Sequence, residues 1–247
     1  MDGKVISENY GMLTSISLDP IEKKPLKRFL PGSMILSVGS YGCNLKCPFC
    51  QNYEISAADK DTADTRYISP DELSEMASEL KDKGNIGVAF TYNEPLVGWE
   101  YVRDTAVKVH ERKMKTVLVS NGSVSEQIAD EVIPLIDAMN IDLKVFSEEG
   151  YRKLGGDLMQ TMKFIEKAAG HSHVELTTLI VPGLNDDREM MKKEASWIAG
   201  IDKDIVLHVT RYFPRWKMRE PATDIDTVYL LADIARRSLR YVYTGNC

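Results

Sequence analysis

The sequence predicts an α/β fold in which a parallel sheet is covered by helices. Two observations carry this prediction. Strand-like and helix-like segments alternate along most of the chain, and the unusual polar residues follow directly after the strand-like segments. This alternation is typical of βα units, whose parallel strands present ligand-binding residues at their carboxyl ends. A barrel and an open doubly wound sheet both fit the pattern.

The first strand of the predicted sheet is the apolar run SMILSVG, and a cysteine-rich loop follows it. The next segment is a helix that begins at Ser69 as N-cap, has Pro70 at its first position and stops at Gly84. The later strand-like segments are IGVAFT, TVLVSNG, MNIDLKVF, HVELTTLIVPG, DIVLHVTRY and RYVYTG. The later helical segments are VGWEYVRDTAVKVHERK, SEQIADEVIPLID, SEEGYRKL, LMQTMKFIEKAAG, REMMKKEASWIAG and DTVYLLADIARRSL. Together they give about six βα units.

No linker-like tract divides the 247 residues, so we expect a single domain. Residues 1–30 are predicted to be an extension and residues 31–247 the body of this domain. The period-2 pattern around Asn9, Tyr10 and Gly11 predicts that the extension is a β-hairpin outside the main sheet. A chain of this length buries a core large enough to need neither disulfides nor a structural metal.

The charge and hydropathy of the chain exclude several classes of partner. The net charge of −6 gives no general attraction to nucleic acid. No apolar stretch is long enough to span a bilayer, and the N-terminus lacks the pattern of a signal peptide. We therefore expect a cytoplasmic monomer with no nucleic-acid or membrane partner. In that reducing compartment, clustered cysteines are more often metal ligands or catalytic groups than disulfides.

Three of the four cysteines lie in the stretch YGCNLKCPFCQN, at Cys43, Cys47 and Cys50. A structural zinc site takes four protein ligands, and the fourth would have to be Cys247 or one of four scattered histidines. Three thiolates on a cluster of four irons leave one iron open, which can chelate an amino and a carboxylate group. We favour the cluster, and a zinc or iron–sulfur binding module without catalysis is the alternative.

The spacing C-x3-C-x2-C, with Phe49 before the third cysteine, resembles the signature of the radical S-adenosylmethionine (SAM) enzymes. The segments YNEP, SNG and DLK are similar to those of glycyl-radical-enzyme activating enzymes, such as the pyruvate formate-lyase activating enzyme. The stretches GKVISENYG and SLDPIEKKPL resemble a branch of radical SAM proteins associated with Memo-like proteins. The resemblance implies a parallel-stranded partial TIM barrel of the (βα)6 type, with the N-terminal β-hairpin as an extension.

The resemblance also implies the cofactors and the reaction. A 4Fe–4S cluster on the three cysteines would bind the amino and carboxylate groups of SAM at its open iron. One electron from a flavodoxin or ferredoxin would cleave SAM to methionine and a 5′-deoxyadenosyl radical, and this radical would abstract hydrogen from the substrate. The implied hydrogen donor is a glycine of a partner glycyl radical enzyme. Another substrate, in company with a Memo-like protein, is the alternative.

The resemblance finally implies which residues contact SAM. Phe49 would meet the adenine, Glu94 the ammonium group, and Asn93 the methionine part through its amide. Asp142 and Lys144 point to the same face of a strand and would address the ribose and the carboxylate. The further contacts that the resemblance implies are Ser120, Asn121, His208 and Arg211. On pattern alone, Glu94 also fits a solvated turn, and Asp142 with Lys144 fits an ordinary ion pair.

Overall fold

One eight-stranded sheet forms the centre of the fold in the computed structural model, which describes residues 7–247. Seven neighbouring strands of this sheet are parallel, and the eighth is antiparallel to its neighbour. A second sheet contains only the two-residue strands β1 and β4. The strands are β1 (Met12–Leu13), β2 (Ser15–Pro20), β3 (Met34–Gly39), β4 (Arg66–Tyr67), β5 (Asn85–Phe90), β6 (Lys115–Ser120), β7 (Ala138–Asp142), β8 (His173–Ile180), β9 (Val206–Arg211) and β10 (Val242–Gly245).

The helices lie between the strands and supply the crossovers that parallel neighbours require. They are α1 (Tyr53–Ser56), α2 (Pro70–Glu79), α3 (Trp99–Glu111), α4 (Glu126–Val132), α5 (Glu148–Lys153), α6 (Leu158–Ala169), α7 (Arg188–Ile201) and α8 (Ile225–Ala235). Among the described residues, none of these helices is both long and apolar enough to cross a bilayer.

Helix α2 begins as the sequence predicts. Ser69 is its N-cap and accepts a hydrogen bond from the Glu72 N–H, while the Glu72 carboxylate accepts one from the Ser69 N–H. The helical segment stops at Gly84 as predicted, but its α-helical part ends earlier, at Glu79, and a 3-10 turn at residues 81–83 follows. Gly84, with φ of 82°, then turns the chain into β5.

The strands of the main sheet lie in the order β10-β9-β8-β7-β6-β5-β3-β2. From β3 to β10, each parallel strand therefore lies beside the next main-sheet strand along the chain; β4 belongs to the small sheet. Successive βα units produce this order. In the described part of the chain, β2 and β10 are the edges and do not pair with each other. The predicted fold class, a partial barrel of six βα units with a last short strand, is confirmed.

The two faces of the main sheet differ in what covers them. On the outer face, residues such as Leu118 and Ile141 join the helices in the larger hydrophobic cluster. On the inner face, Ile21 and Leu26 are fully buried. They pack against one residue from each of four neighbouring strands, which are Ile35, Ala89, Val117 and Ala138. The segment between β2 and β3 therefore closes part of the barrel interior.

The N-terminal extension lies elsewhere than the sequence predicts. Part of the predicted hairpin falls in residues 1–6, outside the described residues. The following segment does not lie outside the main sheet, because β2 pairs with β3 over six residues as its antiparallel edge strand. The buried Asp19 explains this position, since its carboxylate accepts hydrogen bonds from Lys24 at 3.0 Å and from Tyr92 at 2.6 Å. The predicted location of the hairpin is therefore wrong.

Glu194 on α7 makes the stability of this fold depend on pH. Its carboxyl is buried and accepts a hydrogen bond from Thr178 on β8. Burial raises the pKa of Glu194 from 4.5 to about 7. The folded protein therefore holds this proton more tightly than the unfolded chain does. The resulting stabilisation is full below pH 4.5 and is lost as the pH rises towards 7.

We expect Glu194→Gln to be more stable than the parent at pH 8, because glutamine keeps the shape and cannot ionise. The gain should be on the order of 3 kcal/mol at pH 8 and much smaller near pH 5. Urea unfolding at the two pH values measures it, and Glu189→Gln on the exposed face of α7 is the control. An equal difference at both pH values would contradict the pKa shift.

Candidate functional site

The three clustered cysteines lie on one loop, residues 40–52, between β3 and α1 at the carboxyl ends of the parallel strands. Their thiols are partly buried and form no disulfide. The backbone of the loop is fixed at several points. The Lys46 N–H donates to the Leu154 carbonyl at 2.7 Å, and the Gly42 N–H donates to the Ile55 carbonyl at 2.9 Å. This cysteine loop is therefore an ordered element, held by α1 and by the end of α5.

Asn93 fastens the cysteine loop to the end of β5. Its amide nitrogen donates to the carbonyls of Tyr41 and Gly42, each at 3.1 Å, and its amide oxygen accepts from the Ser40 N–H at 2.9 Å. A second hydrogen bond joins the same two segments, because the Asn52 amide at the end of the cysteine loop donates to the Tyr92 carbonyl at 2.7 Å. Both the nitrogen and the oxygen of the Asn93 amide are therefore hydrogen-bonded to the backbone of the cysteine loop.

Glu94 joins the end of β5 to the end of β6. Its buried carboxylate accepts hydrogen bonds from the Ser120 hydroxyl and the Asn121 N–H, both at 2.7 Å, and from the Leu96 N–H at 3.0 Å. Burial raises the pKa of Glu94, against these hydrogen bonds, which lower it. A carboxylate has about four acceptor positions. Three donors therefore leave Glu94 room for about one more.

Asn121 brings the end of β6 to the first cysteine. Its amide nitrogen lies 3.8 Å from the Cys43 sulfur and 2.8 Å from the Asn44 Oδ1. The Leu45 N–H also points at the Cys43 sulfur, at 3.4 Å. Donors placed around a sulfur stabilise its thiolate and tune the potential of a cluster that it holds.

The thiol of Cys43 is not in the state expected of a nucleophile. Burial, together with the nearby Glu94 carboxylate, raises its pKa to about 12. Reactive cysteines have lowered pKa values, because the thiolate is the attacking species. A bound metal, by contrast, removes the proton outright. The environment of Cys43 therefore suits a metal ligand better than a catalytic nucleophile.

Asp142 and Lys144 lie at the end of β7 and form an ion pair of 2.8 Å. Burial opposes the charge of the Lys144 ammonium, but Asp142 and Cys47 raise its pKa above the ordinary value. Burial raises the pKa of Cys47, and the Lys144 charge acts in the opposite direction. Lys144 therefore stays protonated and places a positive charge beside the cysteine loop.

Three residues that the sequence proposes as SAM contacts have side chains engaged elsewhere, although Phe49 itself lies on the cysteine loop beside Cys50. Phe49 is 6% exposed and packs in the larger hydrophobic cluster. His208, on the inner face of β9, lies 2.6 Å from the Glu175 carboxylate. Arg211, at the end of β9, donates from Nε to the Thr223 carbonyl at 2.7 Å. The structure therefore gathers Asn93, Glu94, Ser120, Asn121, Asp142 and Lys144 with the cysteines, and gives the polar atoms of His208 and Arg211 other partners.

Sequence reasoning missed Asn44 and the loop that connects β9 to α8. Asn44 links the cysteine loop to the end of β6 through the Ser123 carbonyl, at 2.6 Å, and through Asn121. In the β9–α8 loop, the Lys217 N–H donates to the Pro48 carbonyl at 3.0 Å. The dense mixture of aromatic and basic residues in YFPRWKMREP was the available signal for the second of these.

The donor set fits a 4Fe–4S cluster. In residues 7–247 no group of three or more His, Cys, Asp or Glu side chains is arranged as the ligands of a single metal ion. A cluster does not require that arrangement, because each thiolate binds a different iron. Cys43, Cys47 and Cys50 supply one thiolate each, and Asn121, with the Leu45 N–H, supplies hydrogen bonds to a sulfur.

Comparison with known proteins identifies the family. The sequence matches the radical SAM superfamily over residues 37–195. An uncharacterized protein of Methanocaldococcus jannaschii is 33% identical over 253 aligned residues, which cover 100% of this chain and 74% of that protein. The pyruvate formate-lyase 1-activating enzyme of Escherichia coli is 26% identical over 59% of this chain and 61% of its own length. The 4-hydroxyphenylacetate decarboxylase activating enzyme of Clostridioides difficile is 23% identical over 58% of this chain, and the match spans 48% of that enzyme.

Solved structures share the fold. A domain of a pyruvate-formate lyase-activating enzyme from Bacteroides vulgatus gives a TM-score of 0.56 at 19% identity and covers 65% of this chain and 99% of that domain. Streptococcus suis SuiB bound to S-adenosylmethionine gives a TM-score of 0.66 at 15% identity, over 86% of this chain and 52% of SuiB. The chain belongs to the radical SAM superfamily, and this membership implies a 4Fe–4S cluster and SAM as its cofactors.

We expect Asn93→Ala to loosen the cysteine loop, because the Ser40 N–H and two carbonyls lose their partner. Leaving a buried polar group unpaired costs about 1–3 kcal/mol, so the variant should unfold at lower urea concentration. It should also retain less iron after anaerobic reconstitution. Gln51→Ala, which removes an exposed amide from the same loop, is the matched control. Parental iron content and stability in Asn93→Ala would contradict the role given to Asn93.

Proposed function

We propose that this radical SAM protein is an enzyme that abstracts a hydrogen atom from a glycine of a partner glycyl radical enzyme. The observation that carries the proposal is that four strand ends meet at one end of the barrel. This end, formed by the carboxyl ends of β3, β5, β6 and β7, is called the mouth. The cysteine loop follows β3, Glu94 follows β5, Ser120 ends β6 and Asp142 ends β7. When bound, the cluster and SAM would together supply a 5′-deoxyadenosyl radical from one electron.

The polar residues at the mouth match the charged groups of SAM. Glu94, with about one acceptor position remaining, would accept a hydrogen bond from the SAM ammonium, a charge-assisted contact. The Lys144 ammonium would pair with the SAM carboxylate, and Asp142 would accept from the ribose hydroxyls. Ser120 and Asn121 would act mainly by holding Glu94 in place, since both donate to its carboxylate.

The similarity to activating enzymes supports a protein substrate. It covers 58–59% of this chain, and the chain spans 48–61% of those enzymes. The edges β2 and β10 do not pair in the described residues, which leaves a side of the barrel where a loop of a partner could enter. A flavodoxin or ferredoxin would be the electron donor.

A second candidate function keeps the radical chemistry and changes the hydrogen donor. The archaeal relative matches all of this chain, whereas the activating enzymes match little more than half of it. Residues beyond the shared core therefore follow a different pattern from the activating enzymes. This observation favours another substrate, and the resemblance of GKVISENYG and SLDPIEKKPL to the Memo-associated branch suggests a Memo-like protein as the partner.

The experiment that tests the proposal is mass spectrometry of SAM products after anaerobic reconstitution and reduction with dithionite. We expect 5′-deoxyadenosine and methionine from the parent and from Cys247→Ala, and none from Cys43→Ala. Cys247 is an exposed cysteine at the end of the chain and is the matched control. Methylthioadenosine, or no cleavage by a protein with a full complement of iron, would contradict the proposed chemistry.

Deuterium labelling distinguishes the two candidate functions, which differ in the hydrogen donor. A glycyl radical enzyme deuterated at its glycine should transfer deuterium into 5′-deoxyadenosine if the first candidate is right. Cleavage of SAM without transfer from that partner would favour the second candidate.

A further inference from the structure

The β9–α8 loop carries an unusual concentration of positive charge. Residues 213–221 contain Arg215, Lys217 and Arg219 and a single carboxylate, Glu220, on a chain whose net charge is −6. All three cationic side chains are exposed. Within residues 7–247, none of the three forms an ion pair with a carboxylate. These cations are therefore available to a partner.

The same loop contacts the cysteine loop directly. The Lys217 N–H donates to the Pro48 carbonyl at 3.0 Å, and Pro48 is bonded to Cys47. The Trp216 ring stacks on Tyr53, the first residue of α1, with the centroids 5.7 Å apart and the planes at 7°. The basic surface formed by Arg215, Lys217 and Arg219 is thus connected to Cys47, a proposed cluster ligand, through one hydrogen bond and a few covalent bonds.

The conformation of the β9–α8 loop is fixed by contacts on both sides. Tyr212 is buried and donates its hydroxyl to the Glu220 carbonyl at 3.3 Å. Arg215 and Met218 form a β-bridge, and Trp216 has φ of 49°. A left-handed conformation is strained for a bulky residue, so surrounding contacts must maintain it. The loop therefore presents its cations in a defined arrangement.

This surface lies where an electron would have to enter. A cluster held by the cysteine loop takes electrons from outside the chain, and the electron carrier must dock close to its ligands. Complementary charge steers such encounters and raises the association rate.

We propose that the β9–α8 loop is the docking surface for an acidic one-electron carrier protein. The inference rests on the proposed function, since it requires the cluster. The reduced carrier would bind through its carboxylates to Arg215, Lys217 and Arg219 and give up one electron to the cluster that Cys43, Cys47 and Cys50 would hold. The carrier leaves oxidised by one electron, and no proton or atom is transferred in this step.

The test is charge reversal in the double variant Arg215→Glu and Arg219→Glu. The probe is a purified flavodoxin in its hydroquinone form, mixed anaerobically with reconstituted protein in a stopped-flow instrument that follows cluster reduction. We expect the rate at low salt to fall by about tenfold or more, and to rise instead of fall as the ionic strength increases. Reduction by photoreduced 5-deazaflavin, a small neutral reductant, should stay at the parental rate.

The matched control reverses two exposed cations away from the cysteine loop, with Lys203→Glu before β9 and Arg237→Glu after α8. This variant should accept electrons from flavodoxin at the parental rate. Equal loss in both variants would overturn the proposal, as would parental flavodoxin rates in the loop variant or a parent that flavodoxin cannot reduce. A slower step only in hydrogen transfer from substrate would instead assign the loop to substrate binding and also overturn it.

Results that contradict the proposed function differ from results that contradict the docking surface. A parent that binds no cluster, or one that deazaflavin reduces without cleaving SAM, contradicts that function. Normal SAM cleavage with deazaflavin and unchanged flavodoxin kinetics in the loop variant contradicts only the docking surface.

Discussion

The hydrogen bonds made by the end of β5 are the interaction on which the arrangement of the site depends. Asn93 holds the cysteine loop by its backbone, and the adjacent Glu94 holds the end of β6. Buried backbone groups must find partners, so a loop with few regular hydrogen bonds needs such side chains to keep one conformation. Two consecutive residues thus join three strand ends, and the thiols are positioned as a consequence.

The electrostatics of the mouth follow from the same arrangement. Glu94 is drawn into a buried position by its three donors, and its charge helps to raise the pKa of Cys43. Lys144 acts on Cys47 with the opposite sign. A thiol with a raised pKa is a poor nucleophile but an adequate ligand, because binding to iron replaces the proton. Burial therefore favours a cofactor site over direct catalysis by cysteine.

The sequence was sufficient for the order of the main-sheet elements, and the assignment of the cysteines as cluster ligands stays a prediction. Apolar runs such as SMILSVG and the Ser69–Glu72 cap are local signals, and the spacing of the cysteines is specific in itself. The position of β2 could not be predicted, because it depends on Asp19 meeting Tyr92, which lies 73 positions away. Distant contacts also decide that His208 bonds to Glu175 and that the β9–α8 loop reaches Pro48.

The central claim is that the end of β5 holds three thiols so that one iron of a 4Fe–4S cluster stays open for SAM. Mössbauer spectroscopy of protein reconstituted with iron-57, before and after SAM is added, tests this claim most directly. The account predicts that one iron of the cluster has a spectrum distinct from the others and that SAM changes the spectrum of that iron. Iron sites that SAM leaves unchanged, or thiols that hold zinc instead, would contradict it.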